Sequence, residues 1–266
     1  MKARINHLTI LSEDNYALGR FYEGFFHMSP AGDKRATQSV SLGDGHIGLT
    51  IKPRLSGERA QLDHFGIETD DIDLAIARIR ELYPAIAVSD GPDGGSISTY
   101  DPVGNVFTLY QKGRAGGDEF YQADDGAHDR IVDHIALRVM YPEKVADFYV
   151  RVFEFSRIDK QHPGRNIYLT DGHVTLAVIP WTLSDFENTG ISSRGMDHIG
   201  FKVESIAALK AEIDLVKAQN FRFQPNASVV GRGKEGAARL TMFKKTCPLG
   251  CHHLADTDGL ILDVTE

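Results

Sequence analysis

The amino-acid sequence predicts an α+β fold of four βαβββ modules, which pair into two cup-shaped domains with mixed sheets. A polar residue followed by a histidine opens an apolar, β-prone run four times in the 266-residue chain. A helical pattern follows each run, and short strand patterns follow each helix. Residues 5–53 also align with residues 132–180 without a gap, at a constant offset that places His7 on His134. The repeated phrases are residues 6–10, 63–67, 133–137 and 197–201.

The internal repeat divides the chain into two halves of two modules each. At the same offset, Phe21-Tyr22 and Asp44-Gly45-His46 recur as Phe148-Tyr149 and Asp171-Gly172-His173. A single helix covers only one face of a four-stranded unit, so two units must pair, and the product is a curved sheet whose hollow can hold a ligand. We expect domains at residues 1–113 and 130–266, joined by a Gly- and Asp-rich linker at residues 114–129.

The first two modules show their elements in order. The first opens with a strand at about 4–11 and a helix at about 14–26, followed by two strands that meet at the turn-forming pair Asp44-Gly45. The second has a strand at about 62–68, then an amphipathic helix that starts after Asp70-Asp71. Its last strand follows the turn at residues 101–104.

The third module repeats the first, and the fourth adds an insertion. A helix near 205–219 is followed by about 20 residues that have no counterpart in the second module. Within them we expect residues 227–237 to form a mobile glycine loop, which either closes over an acidic substrate through Arg232 and Lys234 or is simply solvated. The last strand covers residues 260–265.

Composition excludes several classes of protein. With 42% hydrophobic and 25% charged residues, the chain can bury ordinary globular cores. The net charge of −8 argues against nucleic-acid binding, which needs a basic surface. No apolar run approaches the roughly 18–20 residues of a membrane span, and the N-terminus lacks a signal-peptide core. Cys247 and Cys251 cannot form a disulfide framework. We expect a cytoplasmic homo-oligomer that binds a small molecule.

Paired βαβββ modules that open with Asn/Asp-His phrases resemble the vicinal oxygen chelate superfamily. This superfamily includes glyoxalase I, bleomycin-resistance proteins, fosfomycin-modifying enzymes, some epimerases and the type I extradiol dioxygenases. The resemblance covers nearly the whole chain. Four modules in one polypeptide most resemble the extradiol dioxygenases, whose C-terminal half carries iron and whose N-terminal half has no metal.

The resemblance implies metal ligands on the first and last strands of the C-terminal modules. The first-strand ligands are the phrase histidines His134 and His198, and the last-strand ligand is a carboxylate four residues after a turn glycine. Counted from Gly259, that position holds Asp263, where the family usually has Glu. Two His and one carboxylate form the facial triad of non-haem Fe(II) oxygenases, although the same set also holds Mn or Zn. Asp263 is alternatively a solvated polar residue near the C-terminus.

The same count finds no carboxylate in the other modules. In the second module it reaches Thr108, and in the first and third it reaches Leu49 and Leu176. The N-terminal histidines His7 and His64 are therefore expected to fix strand entry and to bind no metal.

Ring cleavage also needs an acid and a base beside the metal. We expect His253 to share the face of Asp263, with His252 on the opposite face and Tyr168 as a further catalytic candidate. Alternatively, His252 and His253 are surface residues. A zinc site of Cys247, Cys251 and His252 would lack the second pair of ligands found in zinc fingers.

The sequence therefore favours an Fe(II)-dependent, extradiol-type dioxygenase that uses O2 to cleave a small vicinal-diol or aromatic substrate. The first alternative is an oxygen-independent lyase, isomerase or epimerase of the glyoxalase type. The second is a resistance protein that binds a small molecule without turnover.

Overall fold

The computed structural model describes most of the chain. The described residues are 1–31, 38–91, 95–113, 129–158, 165–183, 195–220, 222–225, 233–246 and 249–266. The expected linker at 114–129, except Asp129, lies outside these ranges, as do Cys247 and the segment 226–232.

The described part of the N-terminal half runs from β1 to β8. Its elements are β1 (Ala3–Ser12), α1 (Asn15–Phe26), β2 (Ser29–Pro30), β3 (Val40–Gly43), β4 (Gly48–Pro53), β5 (Gln61–Thr69), α2 (Ile72–Leu82), β6 (Ser89–Asp90), β7 (Ser96–Tyr100) and β8 (Val106–Gln111).

The C-terminal half repeats this order and adds one helix. Its described elements are β9 (Ile131–Val139), α3 (Pro142–Phe153), β10 (Ser156–Ile158), β11 (Ile167–Thr170), β12 (Thr175–Pro180), β13 (Gly195–Lys202), α4 (Ile206–Gln219), α5 (Gly233–Thr246), β14 (His252–Ala255) and β15 (Ile261–Thr265).

Each half forms one mixed sheet, which confirms the predicted α+β class. The strand order is β2-β3-β4-β1-β5-β8-β7-β6 in the first sheet and β10-β11-β12-β9-β13-β15-β14 in the second. The two phrase strands of each half are antiparallel neighbours at the centre, and each is parallel to the last strand of its own module. The phrase histidines of a half therefore lie on adjacent strands.

One expectation about the insertion is wrong. Residues 233–237 do not form a loop but begin helix α5, which extends to Thr246. The segment contains Lys234, Glu235, Ala237 and Ala238, which are good helix formers, so local propensity outweighs its two glycines.

The helices of the two halves pack across each other. The α1 ring of Phe26 lies 4.0 Å from Phe201 of β13, between ring centroids. In the same way, Phe148 of α3 lies 5.9 Å from Phe107 of β8. Because each first helix covers the second module of the other half, the apolar core is continuous between the halves.

The repeated Asp-Gly-His turns also tie the halves together. The Asp44 carboxylate accepts the backbone N–H of Val132 at 2.7 Å, and Asp171 accepts that of Ile5 at 2.6 Å. The turn histidines His46 and His173 are exposed and stack with ring centroids 5.8 Å apart. The turn motif is thus explained by its structural role.

The second sheet has a face opposite the core that α1 and α3 cover, which we call the cup face. Along β9, Ile135 and Leu137 belong to the helix-covered core, so His134 and Ala136 point to the opposite side. The cup face carries His134, Ala136, Tyr168, Ala177, His198, His253 and Asp263. Among the described residues, no helix combines the length and apolarity needed to cross a membrane.

Candidate metal centre

Three neighbouring strands bring the predicted ligands together. His134 lies on β9, His198 on β13 and Asp263 on β15, and Gly200 pairs with both His134 and Asp263 across the strands. The side chains each offer one ligand atom, and these atoms all lie within 4.8 Å of one another. All three side chains are buried. They form a compact group at the centre of the cup face.

The aspartate before each histidine orients its ring. His134 Nδ1 lies 3.0 Å from Asp133 Oδ2, and His198 Nδ1 lies 2.8 Å from Asp197 Oδ2. Because a carboxylate only accepts hydrogen bonds, each Nδ1 carries the proton and each Nε2 presents its lone pair. Asp197 is itself held by Arg138, whose Nε donates at 2.7 Å. Such outer carboxylates are the usual support of metal-binding histidines.

Three buried polar atoms of this group lack a hydrogen-bond partner among the described residues. They are Nε2 of His134, Nε2 of His198 and Oδ1 of Asp263. His134 Nε2 does lie 3.3 Å from Asp263 Oδ2, but the pair lacks hydrogen-bond alignment. An unsatisfied buried polar atom costs about 1–3 kcal/mol. A divalent cation would satisfy all three atoms at once, so the residues present fit a metal ion.

The surroundings of the three side chains shift their pKa values, and these shifts bear on whether each can bind a metal. Burial raises the pKa of the Asp263 carboxyl, but the nearby imidazoles of His134 and His253 lower it more, and the net pKa lies below its usual value. Burial lowers the pKa of His198. Burial also lowers the pKa of His134, yet Asp133 and Asp263 raise it above its ordinary value. Asp263 and His198 are therefore in states that can bind a cation, and a cation at His134 would have to compete with a proton.

Two glycines make room for the ligands, and the sequence alone did not reveal them. A Cβ at Gly200 would overlap the His134 imidazole, and a Cβ at Gly250 would overlap the Asp263 carboxylate. The Gly250 N–H also donates to Asp263 Oδ2 at 2.8 Å. In the N-terminal half, Gly66 leaves the same space for His7. The His-x-Gly spacing shared by Gly66 and Gly200 was the available signal.

Within the described part of the N-terminal half, no third ligand lies beside the two histidines. The rings of His7 and His64 lie 5.8 Å apart, and Thr108 pairs with Gly66 where Asp263 pairs with Gly200. His64 Nε2 lies 3.3 Å from Thr9 Oγ1. Among the described residues, the His134 group alone brings three His, Cys, Asp or Glu side chains close enough to share a cation.

The count that placed Leu49 and Leu176 at the fourth ligand position is wrong. Both leucines belong to the helix-covered core. Strand register assigns the position to Thr50, which pairs with Thr9, and to Ala177, which pairs with Ala136. The turns of the first and third modules are one residue longer, and a shift of one residue moves a side chain to the other face.

The proposed acid/base residues occupy different faces. His253 pairs with Asp263 across β14 and β15, and its Nε2 lies 3.2 Å from Asp263 Oδ1. His252 pairs with Val264 and faces away from the cup, where burial and Lys210 lower its pKa to about 4. A shared zinc site is disfavoured, because Cys251 is exposed and joins no metal-binding group among the described residues.

Tyr168 lies on the cup face within an apolar cluster. It is buried there with Ala136, Ala177, Ile179 and Phe243, and its hydroxyl accepts a hydrogen bond from Asn166 Nδ2 at 3.2 Å. Phe243 of α5 also lies beside the ligand set, and no sequence pattern indicated it. Its ring centroid lies 4.7 Å from that of His198 and 5.0 Å from that of His253.

Comparison with known families agrees with this geometry. The model of the Glyoxalase/Bleomycin resistance protein/Dioxygenase superfamily matches residues 131–262, which contain the whole triad except Asp263. This match assigns the C-terminal half of the chain, residues 131–262, to the superfamily. No curated protein sequence matches the chain.

Solved structures of the superfamily share the fold over nearly the whole chain. The 2,3-dioxygenase LapB from Pseudomonas sp. KL28 is 15% identical with a TM-score of 0.64, and the match covers 98% of this chain and 91% of that one. The Mn(II)-bound glyoxalase from Novosphingobium aromaticivorans is 15% identical with a TM-score of 0.63, covering 98% and 81%. A xylose isomerase-like TIM barrel/4-hydroxyphenylpyruvate dioxygenase fusion protein is 15% identical with a TM-score of 0.59. The match covers 98% of this chain but only 48% of that protein. At this identity the likeness establishes the fold.

Proposed function

We propose that the chain is a metal-dependent enzyme, an Fe(II) dioxygenase of the extradiol type that acts on a small vicinal diol or aromatic substrate. The observation that carries the proposal is the buried set of His134, His198 and Asp263, whose facing polar atoms lack partners within the described residues. The likeness to dioxygenases such as LapB supports the reaction class. The absence of a third ligand beside His7 and His64 supports a single active half.

His134, His198 and Asp263 would hold a divalent metal. Such a metal would supply a Lewis acid that lowers the pKa of a substrate hydroxyl. Asp133 and Asp197 hold the imidazoles with Nε2 toward the centre. The apolar cup-face cluster around Ala136 and Ala177 excludes water from the substrate side.

We assign proton transfer to His253. It lies on the cup face beside Asp263, and its Nε2 also lacks a hydrogen-bond partner within the described residues. An imidazole at this place can take a proton from a substrate hydroxyl and return it later in the reaction. Tyr168 is the second candidate, but its hydroxyl already accepts a hydrogen bond from Asn166.

The runner-up is an oxygen-independent lyase, isomerase or epimerase of the glyoxalase type. The likeness to a Mn(II)-bound glyoxalase favours it. Ala177 at the fourth ligand position disfavours it, because a second last-strand carboxylate, usual in glyoxalase I, is missing there. A binding protein without turnover would not need His253 beside the ligand set.

Oxygen consumption separates these functions. The protein is purified without oxygen, loaded with Fe(II) and mixed with a panel of catechols under air or under argon. The proposal expects oxygen uptake that matches product formation, and no product under argon. Product formed at full rate under argon would replace it with the lyase or isomerase function. The control is Asp263→Asn, which removes the ligand charge and should abolish uptake.

A further inference from the structure

Helix α5 brings a single aromatic side chain against the metal centre. Phe243 is 2% exposed and packs with Ala136, Tyr168, Ala177 and Ile179 on the cup face. The helix belongs to the insertion in the fourth module, so it is a feature of this chain and not of the repeat.

The ring of Phe243 lies between two functional imidazoles. It meets His198 edge to face at an interplanar angle of 77° and His253 at 88°. Ala177 marks the fourth ligand position, where a methyl group replaces the carboxylate of the neighbouring module. Phe243 therefore belongs to the same apolar cluster as the residue at the empty ligand position.

A cavity borders Phe243 at the seam between the two halves. It has a volume of about 300 Å³ and is lined on its apolar side by Ile10, Leu62, Met196 and Leu260, together with Phe243. The Arg138–Asp197 ion pair and Asp258 also line it, so the polar part of the lining carries one more acidic than basic side chain. Since Phe243 contacts His198 and also lines the cavity, its ring separates the metal centre from this space.

We propose that Phe243 is a specificity-determining residue that limits the size of the diol accepted at the metal centre. This inference rests on the proposed function. A compact diol fits beside the ligand set, whereas an aryl substituent directed toward the seam meets the ring. Removing the ring joins the centre to this cavity, and an apolar space on the order of 150 Å³ can hold a benzene-sized group.

The test compares binding of two probes by the Fe(II)-loaded, full-length protein without oxygen. The probes are catechol and 2,3-dihydroxybiphenyl, which carries a phenyl group beside one hydroxyl, and spectrophotometric titration gives a Kd for each. The variants are Phe243→Ala and the milder Phe243→Leu. The matched control is Phe223→Ala, which removes a half-buried ring that stacks on Phe25 at 5.4 Å on the helix-covered side.

We expect Phe243→Ala to improve the binding of 2,3-dihydroxybiphenyl relative to catechol by at least about tenfold, with Phe243→Leu in between. Phe223→Ala should leave the ratio of the two Kd values unchanged. A ratio that is the same in wild type and in both Phe243 variants, with iron and catechol still bound, would overturn the inference and leave the proposed function standing. Failure of every protein to bind iron or catechol would overturn both.

Discussion

Substitution of Gly200 by alanine tests how the strands position the ligands. The added methyl group overlaps the His134 imidazole. The β13 backbone cannot retreat, because Gly200 pairs with His134 on one side and with Asp263 on the other. His134 must therefore rotate away from the centre. Overpacking of this kind costs about 1–3 kcal/mol of folding free energy.

The metal affinity of Gly200→Ala should fall further than its stability. Loss of outer-shell support alone weakens metal binding by about 10–100-fold. Displacement of a ligand should reach at least the upper end of that range, about 100-fold, which corresponds to roughly 2.8 kcal/mol. Isothermal titration of the metal-free protein with Co(II) measures the affinity, and urea unfolding of the same sample measures the stability.

Gly66→Ala provides the matched control. Its methyl group overlaps the His7 imidazole in the N-terminal half, so it should destabilise the fold by a similar amount. It should leave Co(II) affinity unchanged, because His7 belongs to no group of three ligands within the described residues. Equal loss of affinity in both variants, or full affinity in Gly200→Ala, would refute the reasoning.

Two further predictions concern proton transfer and stability. His253→Ala should retain the metal but lose about 10²–10⁴-fold in turnover. His252→Ala should change turnover little, because the His252 side chain faces away from the cup. Steady-state kinetics with metal analysis measures both variants, and exchanged phenotypes would contradict the strand register. Burial raises the pKa of Asp256 to about 7, so the folded chain holds a proton that the unfolded chain loses above about pH 4. The free energy of unfolding should therefore fall between about pH 4 and pH 7, by at most about 4 kcal/mol, and Asp256→Asn should remove that fall. Urea unfolding across this range measures both proteins, and parallel curves would contradict the prediction.

The sequence predicted the architecture because the fold is repetitive. Four histidine phrases and one constant offset define the modules, and each phrase strand lies at the centre of a sheet. The same repeat located His134 and His198 on adjacent strands, the resemblance to the superfamily pointed to Asp263, and strand alternation placed His253 beside Asp263.

The errors come from places where the repeat breaks. The turns of the first and third modules are one residue longer, so counting from Gly172 reached Leu176 in the core instead of Ala177 on the cup face. Helix α5 has no counterpart in the repeat, and the contact of Phe243 with His198 joins residues distant in sequence. No local pattern encodes such a tertiary contact.

The most direct test of the central claim is the metal content of two histidine variants. Wild type, His7→Ala and His198→Ala are reconstituted with Fe(II) without oxygen, and bound iron per chain is measured after removal of free metal. The account predicts one iron in wild type and in His7→Ala, and close to none in His198→Ala, because only the C-terminal half has a carboxylate beside its histidines. Equal iron loss in both variants, or full iron in His198→Ala, would contradict it.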